Sequence, residues 1–148
     1  NFPGLSCTKE AEERVRTELK GLERIHITER ISREEVIKIQ QNSHLMLMVA
    51  HEGIKGVPSS KLYEYIGLNK PVLLFPNDHD IIEETLLDTG LGVICNSENE
   101  IKEKLTLVIE NFIKNGKVGI DGDPQQIQKY SRRNGTNQLA KLLDGIDH

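Results

Sequence analysis

The feature that most limits the fold of this chain is the alternation of short apolar runs with helical patterns. The longest apolar runs, at residues 45–50 and 72–75, have the length of a strand, and neither approaches the roughly 20 residues that a membrane helix needs. The run at 45–50 contains no polar residue, which is typical of a strand covered on both faces. Strands and helices that alternate with short connections predict an α/β protein with a parallel sheet and helices on both faces.

Capping residues and turn residues divide the rest of the chain into helices and loops. Ser32 stands before Glu34 and Glu35, and carboxylates in a first turn suit the helix dipole. The elements predicted in chain order are a charged helix at 8–19, a strand at 24–28, a helix from Ser32, a strand at 45–50, a helix from Ser59 or Ser60 to about 67–69, a strand at 72–75, a helix at 80–89 closed by Gly90, a strand at 92–95, a long helix from Asn96 or Ser97, a loop at 114–124 and a helical stretch at 125–144 broken near Asn134 and Gly135. Residues 1–7 are expected to form a loop after a strand that precedes the chain.

Length and composition narrow the class of protein. A chain of 148 residues fits one domain, predicted to span 1–148, and 36% apolar with 28% charged residues is typical of a globular protein. The net charge of −4 disfavours a nucleic-acid partner, because such domains are usually basic. Cys7 and Cys95 match no metal-ligand spacing, and we interpret both as reduced thiols, with Cys95 in the core. A start without Met or a signal-peptide pattern predicts a fragment of a cytoplasmic protein.

The most polar loop of the chain follows the run at 45–50 and leads directly into a helix. In open parallel sheets, ligands bind beyond the carboxyl ends of the strands. Gly53 and Gly56 permit close backbone approach, and the amides of Ser59, Ser60 and Lys61 form a helix N-terminus that favours an anion. The loop therefore has the chemistry of a phosphate site without a Walker sequence. A plain loop before a helix has a similar composition, so both interpretations stay open on these residues alone.

Two neighbouring segments resemble the donor-binding segment of the family 4 glycosyltransferases. They are Val-Pro-Ser-Ser-Lys-Leu-Tyr-Glu-Tyr-Ile at 57–66 and Asn-Lys-Pro-Val-Leu at 69–73. These enzymes have the GT-B fold, which consists of two Rossmann-like domains. Residues 82–92 and 130–143 also resemble the family. The resemblance implies that residues of about 25–145 belong to the C-terminal, nucleotide-sugar-binding half of such an enzyme, with its first strand and its N-terminal acceptor domain missing.

The resemblance assigns donor contacts to the helix that begins near Ser59. Glu64 corresponds to the glutamate that accepts hydrogen bonds from the ribose hydroxyls, and a carboxylate suits a diol because it accepts at two oxygens. Ser59, Ser60 and Lys61 are expected near the diphosphate, the serines mainly through their N–H groups. The alternatives are that Glu64 is an ordinary surface residue and that the serines only cap the helix.

The chain departs from the family at the position eight residues before Glu64. Many members carry a first glutamate there, which contacts the sugar or assists catalysis, whereas this chain has Gly56. Glu52 is the nearest acid and therefore the candidate for the catalytic role, and His51 is a candidate donor contact. For both residues, solvated loop positions are the alternative.

Two further loops are expected to contribute to the site. Arg30 and Ile31 stand where the family has a glycine-containing loop that meets the nucleobase, and here Glu29 replaces the glycine, so an ordinary turn is the alternative. Residues 77–80, Asn-Asp-His-Asp, form a second polar loop at the same edge of the sheet. Family 4 enzymes generally need no bound metal, so we expect neither a metal nor another cofactor.

The resemblance implies a glycosyltransferase of glycan biosynthesis that moves a sugar from a nucleotide diphosphate sugar, such as a UDP- or GDP-sugar, to an acceptor hydroxyl with retention of configuration. The acceptor would be a glycan or a lipid-linked sugar held by the missing domain, so the fragment alone is expected to be inactive. The full-length enzyme would be cytoplasmic, at the inner face of the membrane. The alternatives are the C-terminal half of a GT-B sugar-nucleotide epimerase and a receiver- or flavodoxin-like regulatory domain, although the run at 45–50 ends without the Asp that a receiver needs.

Overall fold

The chain is an α/β protein whose strands pair in parallel. A computed structural model describes the backbone of residues 2–3 and residues 8–22, 26–51 and 53–146. The chain divides into two compact units, residues 1–42 and residues 43–148, and each has its own sheet. The prediction of a single domain over 1–148 stays a prediction.

In the part of the first unit that the structure describes, there are two short parallel strands and two helices. Strand β1 (Phe2–Pro3) pairs with β2 (Ile27–Thr28), and helix α1 (Lys9–Glu18) lies between them in the chain, before α2 (Arg33–Asn42). The prediction of a loop over residues 1–7 is wrong at residues 2–3, because their backbone pairs with β2. Residues 4–7 and the start of the strand predicted at 24–28 lie outside the described residues.

Serine and threonine begin both helices of the first unit. The Thr8 hydroxyl accepts a hydrogen bond from the Ala11 N–H at 3.2 Å. The Ser32 Oγ accepts from the Glu35 N–H at 3.3 Å, and the Glu35 carboxylate accepts from the Ser32 N–H at 3.0 Å. This reciprocal pair is a capping box, and it confirms the helix start predicted at Ser32. The Ser32 hydroxyl also donates to the Glu35 carboxylate at 2.8 Å, and this bond, followed by the bond from the Ser32 N–H, holds the pKa of Glu35 below its ordinary value.

The second unit is built on three parallel strands, β3 (Met46–Met48), β4 (Val72–Leu74) and β5 (Gly92–Ile94), in that spatial order. In the register of the sheet, Met46 pairs with Val72, and Val72 pairs with Gly92. Every residue of the central strand β4 is buried. The strand predicted at 72–75 is therefore confirmed, and it is the central strand of the sheet, covered on both faces.

Helices cover both faces of this sheet. Helix α3 (Ser60–Gly67) and helix α4 (Ile81–Asp88) pack on one face, and helix α5 (Glu98–Asn115) packs on the other. The first face joins the side chains of Met48, Leu62, Tyr65, Ile66, Val72, Leu74, Ile82, Leu86, Leu91 and Ile94. The second face joins Leu73, Val93 and Cys95 to the partly buried Leu45, Phe75, Ile101, Leu105 and Ile120. The prediction of a Rossmann-like arrangement with helices on both faces is confirmed.

The prediction that β3 is covered on both faces is wrong. Met48 and Ala50 are 4% and 5% exposed, whereas Leu47 and Val49 are 49% and 59% exposed. Successive side chains of a strand point to opposite faces, so one face of β3 belongs to the core and the other is open beyond Leu45. The reason is that α5 packs against β4 and β5 and reaches only the start of the β3 run, at Leu45.

The chain ends in two helices, α6 (Pro124–Lys129) and α7 (Arg132–Asp144). The break predicted near Asn134 and Gly135 lies instead at Tyr130 and Ser131. The Ser131 hydroxyl accepts from the Asn134 N–H at 3.2 Å and so begins α7, which continues through Gly135. The local capping signal of Ser131 therefore outweighs the helix-breaking tendency of the Asn-Gly pair.

The amino edge of the second sheet is closed by residues 118–123. The Gly122 N–H donates to the side-chain carbonyl of Asn69 at 3.1 Å, and the Asp123 N–H donates to the Thr89 carbonyl at 2.9 Å. Asn69 and Thr89 lie just before β4 and β5, respectively. The polar loops that remain open are those at the opposite, carboxyl edge. No helix within the described ranges is long and apolar enough to cross a membrane.

Candidate functional site

The candidate site lies where β3 ends and the chain turns into α3. Gly53 and Gly56 have φ values of 76° and 73°, a region that favours glycine, so these two residues give the loop its shape. Ser59 caps α3, and its hydroxyl accepts from the Lys61 N–H at 3.3 Å. The cap confirms the prediction that Ser59 or Ser60 begins this helix.

The first turn of α3 presents its polar residues away from the core. Leu62 and Ile66 are buried on the sheet side of the helix, whereas Ser60 and Lys61 are exposed. Glu64 is partly exposed and four residues after Ser60, so the two side chains share one face of the helix. The serine, the lysine and the glutamate that the sequence singles out are therefore neighbours on α3.

The amides at the start of α3 are not all available to a ligand. The N–H of Lys61 donates to the Ser59 hydroxyl, and the N–H of Leu62 donates to the Ser59 carbonyl at 3.0 Å. Within the described residues, the N–H of Ser60 has no protein acceptor. An anion at this helix start would therefore meet the N–H of Ser60 and the side chain of Lys61 first.

The loop after β3 is joined to the loop after β4 by a hydrogen bond that the sequence analysis missed. The Gly56 N–H donates to the Asp80 carboxylate at 2.5 Å, across 24 residues of the chain. Sequence reasoning placed Asp80 only in a second polar loop at the same edge of the sheet. No local pattern identifies the bond, because its two partners meet only through the pairing of β3 with β4.

The loops after β4 and β5 are also connected. The side-chain N–H of Asn77 donates to the side-chain oxygen Oδ1 of Asn96 at 3.1 Å, and the same amide nitrogen lies 3.0 Å from His79 Nδ1. His79 Nδ1 is 3.4 Å from the Glu83 carboxylate. Among the residues that the structure describes, no group of three or more His, Cys, Asp or Glu side chains could hold a metal ion.

Of the remaining predicted site residues, His51 lies at the start of the same loop, directly after the run at 45–50. His51 has an exposed side chain, and its carbonyl accepts from the Ile54 N–H at 3.3 Å. Glu52 lies outside the described residues. Arg30 is exposed and Ile31 half-buried, and both belong to the first unit.

A tyrosine cluster beside α3 is a second feature that sequence reasoning did not find. The Tyr130 hydroxyl donates to the Asp88 carboxylate at 3.0 Å, and the rings of Tyr130 and Tyr63 have centroids 6.4 Å apart. Burial, followed by the hydrogen bond to Asp88, raises the pKa of the Tyr130 phenol. These contacts join the end of α6 to α3 and α4, so the cluster supports the helix that carries the site.

Two other features have no link to this site. Cys95 is fully buried, and burial raises the pKa of its thiol, which confirms a core role and makes it a poor nucleophile. Cys7 lies outside the described residues. A cavity of about 250 Å³ lies at the outer side of β5, lined by residues of β5, α5 and 118–120. None of its lining residues comes from the loops after β3 or β4.

The chain matches no protein-family model, and no curated protein or solved structure is significantly similar to it. What defines its class is therefore the fold, an α/β protein with a parallel sheet between helices. A functional assignment depends on the residues at the carboxyl edge of that sheet.

Proposed function

We propose that this chain is the donor-binding half of a family 4 glycosyltransferase of the GT-B type. The observation that carries the proposal is the helix start at Ser59, which lies at the carboxyl edge of a parallel sheet with Lys61 and Glu64 on its exposed side. The residues that resemble the family's donor segment form a loop, a helix and a strand in the order that the resemblance implies. This agreement supports the proposal, since residues 57–66 and 69–73 could have formed other elements.

In the proposed complex, the start of α3 binds the donor diphosphate. The N–H of Ser60 and the ammonium group of Lys61 supply positive charge, and the Glu64 carboxylate accepts from the ribose hydroxyls one turn further along α3. Such fixed donors stabilise the negative charge that develops on a leaving nucleoside diphosphate. The chain then needs no metal for this step, and its donor is a UDP- or GDP-sugar.

The other half of the proposed enzyme holds the acceptor, a glycan or a lipid-linked sugar. The sugar is transferred with retention of configuration, and residues 1–148 alone do not turn over because one wall of the cleft belongs to the acceptor half. We place the full-length enzyme in the cytoplasm, at the inner face of the membrane. The role of Glu52 as the catalytic glutamate stays a prediction.

Glu64 provides the test of this proposal, in the full-length chain that contains this domain. Glu64→Ala is expected to weaken UDP or GDP binding by about 1.5–3 kcal/mol, the value of a charge-assisted hydrogen bond. The matched control is Glu103→Ala, which removes an exposed glutamate from α5. Both affinities are measured by isothermal calorimetry, with thermal unfolding to show that each variant is folded.

A 2′,3′-dideoxy nucleotide distinguishes a ribose contact from a general loss of affinity. It should bind the unaltered protein more weakly by a similar amount and should lose nothing further against Glu64→Ala, because the two changes remove the same interaction. If the two losses simply add, Glu64 does not contact the ribose and the proposed role is wrong.

A further inference from the structure

Two aspartates of the loop after β4 have different partners. Asp78 accepts from the N–H groups of Ile82 and Glu83 at 2.9 and 3.0 Å, so its carboxylate caps the first turn of α4. Asp80 directly precedes α4 but makes no side-chain bond to that helix. Its carboxylate accepts instead from the Gly56 N–H. Because Asp78 already caps the start of α4, the Asp80 carboxylate is available to bind the loop that contains Gly56.

The loop that Asp80 binds has few other restraints. Its residues 53–57 are exposed, and both of its glycines have positive φ values. The Ile54 N–H bonds to the carbonyl of His51, which is a local turn contact. Among the described residues, Asp80 is the one side chain of another segment that hydrogen-bonds to residues 53–58. Loss of the Asp80 carboxylate would leave this stretch with only local hydrogen bonds among the described residues.

We propose that Asp80 is a positioning residue that holds the loop 53–58 in the conformation in which the start of α3 receives an anionic ligand. This proposal rests on the proposed function, in which that ligand is a nucleoside diphosphate. A loop ordered before binding loses less conformational entropy when the ligand arrives. Asp80 acts through the Gly56 N–H and not by contact with the ligand.

The alternative role is that the Asp80 carboxylate repels the ligand. In that case its removal would change the binding affinity in the opposite direction. A nearby negative charge disfavours a diphosphate, so its removal would strengthen binding. Two substitutions separate the roles. Asp80→Asn removes the charge and keeps an oxygen that can accept from Gly56, whereas Asp80→Ala removes both. Asp121→Ala is the matched control, because this exposed aspartate lies in the segment that closes the amino edge.

UDP and GDP binding is measured for the four proteins in the full-length chain. Asp80→Ala should weaken binding about tenfold, as expected when roughly one further residue must be ordered on binding. The affinity of Asp80→Asn for UDP and GDP should stay within about twofold of that of the unaltered protein. This variant keeps the hydrogen bond to Gly56, and such bonds are worth about 1 kcal/mol. Asp121→Ala should have no effect. Equal affinity of Asp80→Ala and the unaltered protein, or tighter binding by both Asp80 variants, overturns the proposal.

The Gly56 amide gives a second readout that needs no ligand. Its N–H resonance and its hydrogen-exchange rate should change in Asp80→Ala and return towards the original values in Asp80→Asn. An unchanged Gly56 signal in Asp80→Ala overturns the contact itself. If the signal changes but the unaltered protein binds no diphosphate, the proposed function fails together with the ligand role of Asp80, and the loop contact stands. If all four proteins bind equally, only the positioning role fails.

Discussion

Replacement of Gly122 by alanine tests the packing that closes the amino edge of the sheet. A Cβ on Gly122 would lie 2.7 Å from Ile127 Cδ1, 2.8 Å from Asn69 Oδ1 and 2.9 Å from Leu91 Cγ. Leu91 is fully buried, and Asn69 accepts the hydrogen bond from the Gly122 N–H, so neither can move without loss. Gly122→Ala should therefore reduce the free energy of unfolding by about 1–3 kcal/mol, the usual cost of overpacking.

Gly135→Ala is the same chemical change, but it is expected to raise the free energy of unfolding. Gly135 lies inside α7, and a Cβ there would meet no atom within 4 Å. Alanine at an exposed position inside a helix is favoured over glycine by about 0.5–1 kcal/mol, so this variant should be more stable. Both free energies are measured by urea unfolding at equilibrium, with equal m-values as the sign that the denatured states are comparable.

The two outcomes together decide whether the packing argument holds. A Gly122→Ala variant as stable as the original protein would mean that residues 118–123 do not close the sheet as described. A destabilised Gly135→Ala variant would mean that α7 is interrupted at Asn134 and Gly135, as the sequence pattern predicted, and that it does not run on from Ser131.

Two further predictions concern the first unit and the core. Ser32→Ala should reduce the stability of α2 by about 1 kcal/mol in a urea titration, because it removes one half of the capping box; an unchanged unfolding free energy would contradict the cap. Burial raises the pKa of the Cys95 thiol above its ordinary value of 9.0, so the unfolded chain ionises first as the pH rises. The contribution of Cys95 to the unfolding free energy is therefore complete at neutral pH and decreases as the pH rises above the ordinary value of 9.0. Cys95→Ala should show a shallower decrease over that range, and identical pH profiles for the two proteins would contradict the buried thiol.

Local chemistry explains which elements could be predicted from the sequence. Ser32, Ser59 and Ser97 each cap the helix that the sequence assigned to them, because a capping hydroxyl bonds to amides two or three residues away. Gly90 follows α4 with a φ of 72°, a conformation that glycine adopts at little cost. Such features depend on neighbours in the chain and are therefore visible in it.

Contacts between distant segments explain what could not be predicted. The open face of β3 depends on where α5 packs, and the apolar run at 45–50 contains no information about that helix. The bond between Gly56 and Asp80 depends on the register of two strands. The candidate site was therefore predicted as a set of residues on α3, whereas the residue that holds its loop became apparent only in the folded chain.

The most direct test of the proposed function is an NMR titration of this chain with UDP, GDP and ADP, with NAD as the control. The isolated domain should bind diphosphates weakly, because half of the proposed cleft is missing. We expect at least one nucleoside diphosphate to shift amide resonances of residues 53–64, with the Ser60 N–H among the most affected, and we expect NAD to shift none of them. Equal shifts with NAD, or diphosphate shifts confined to other parts of the chain, would contradict the proposal that the start of α3 binds a nucleotide sugar.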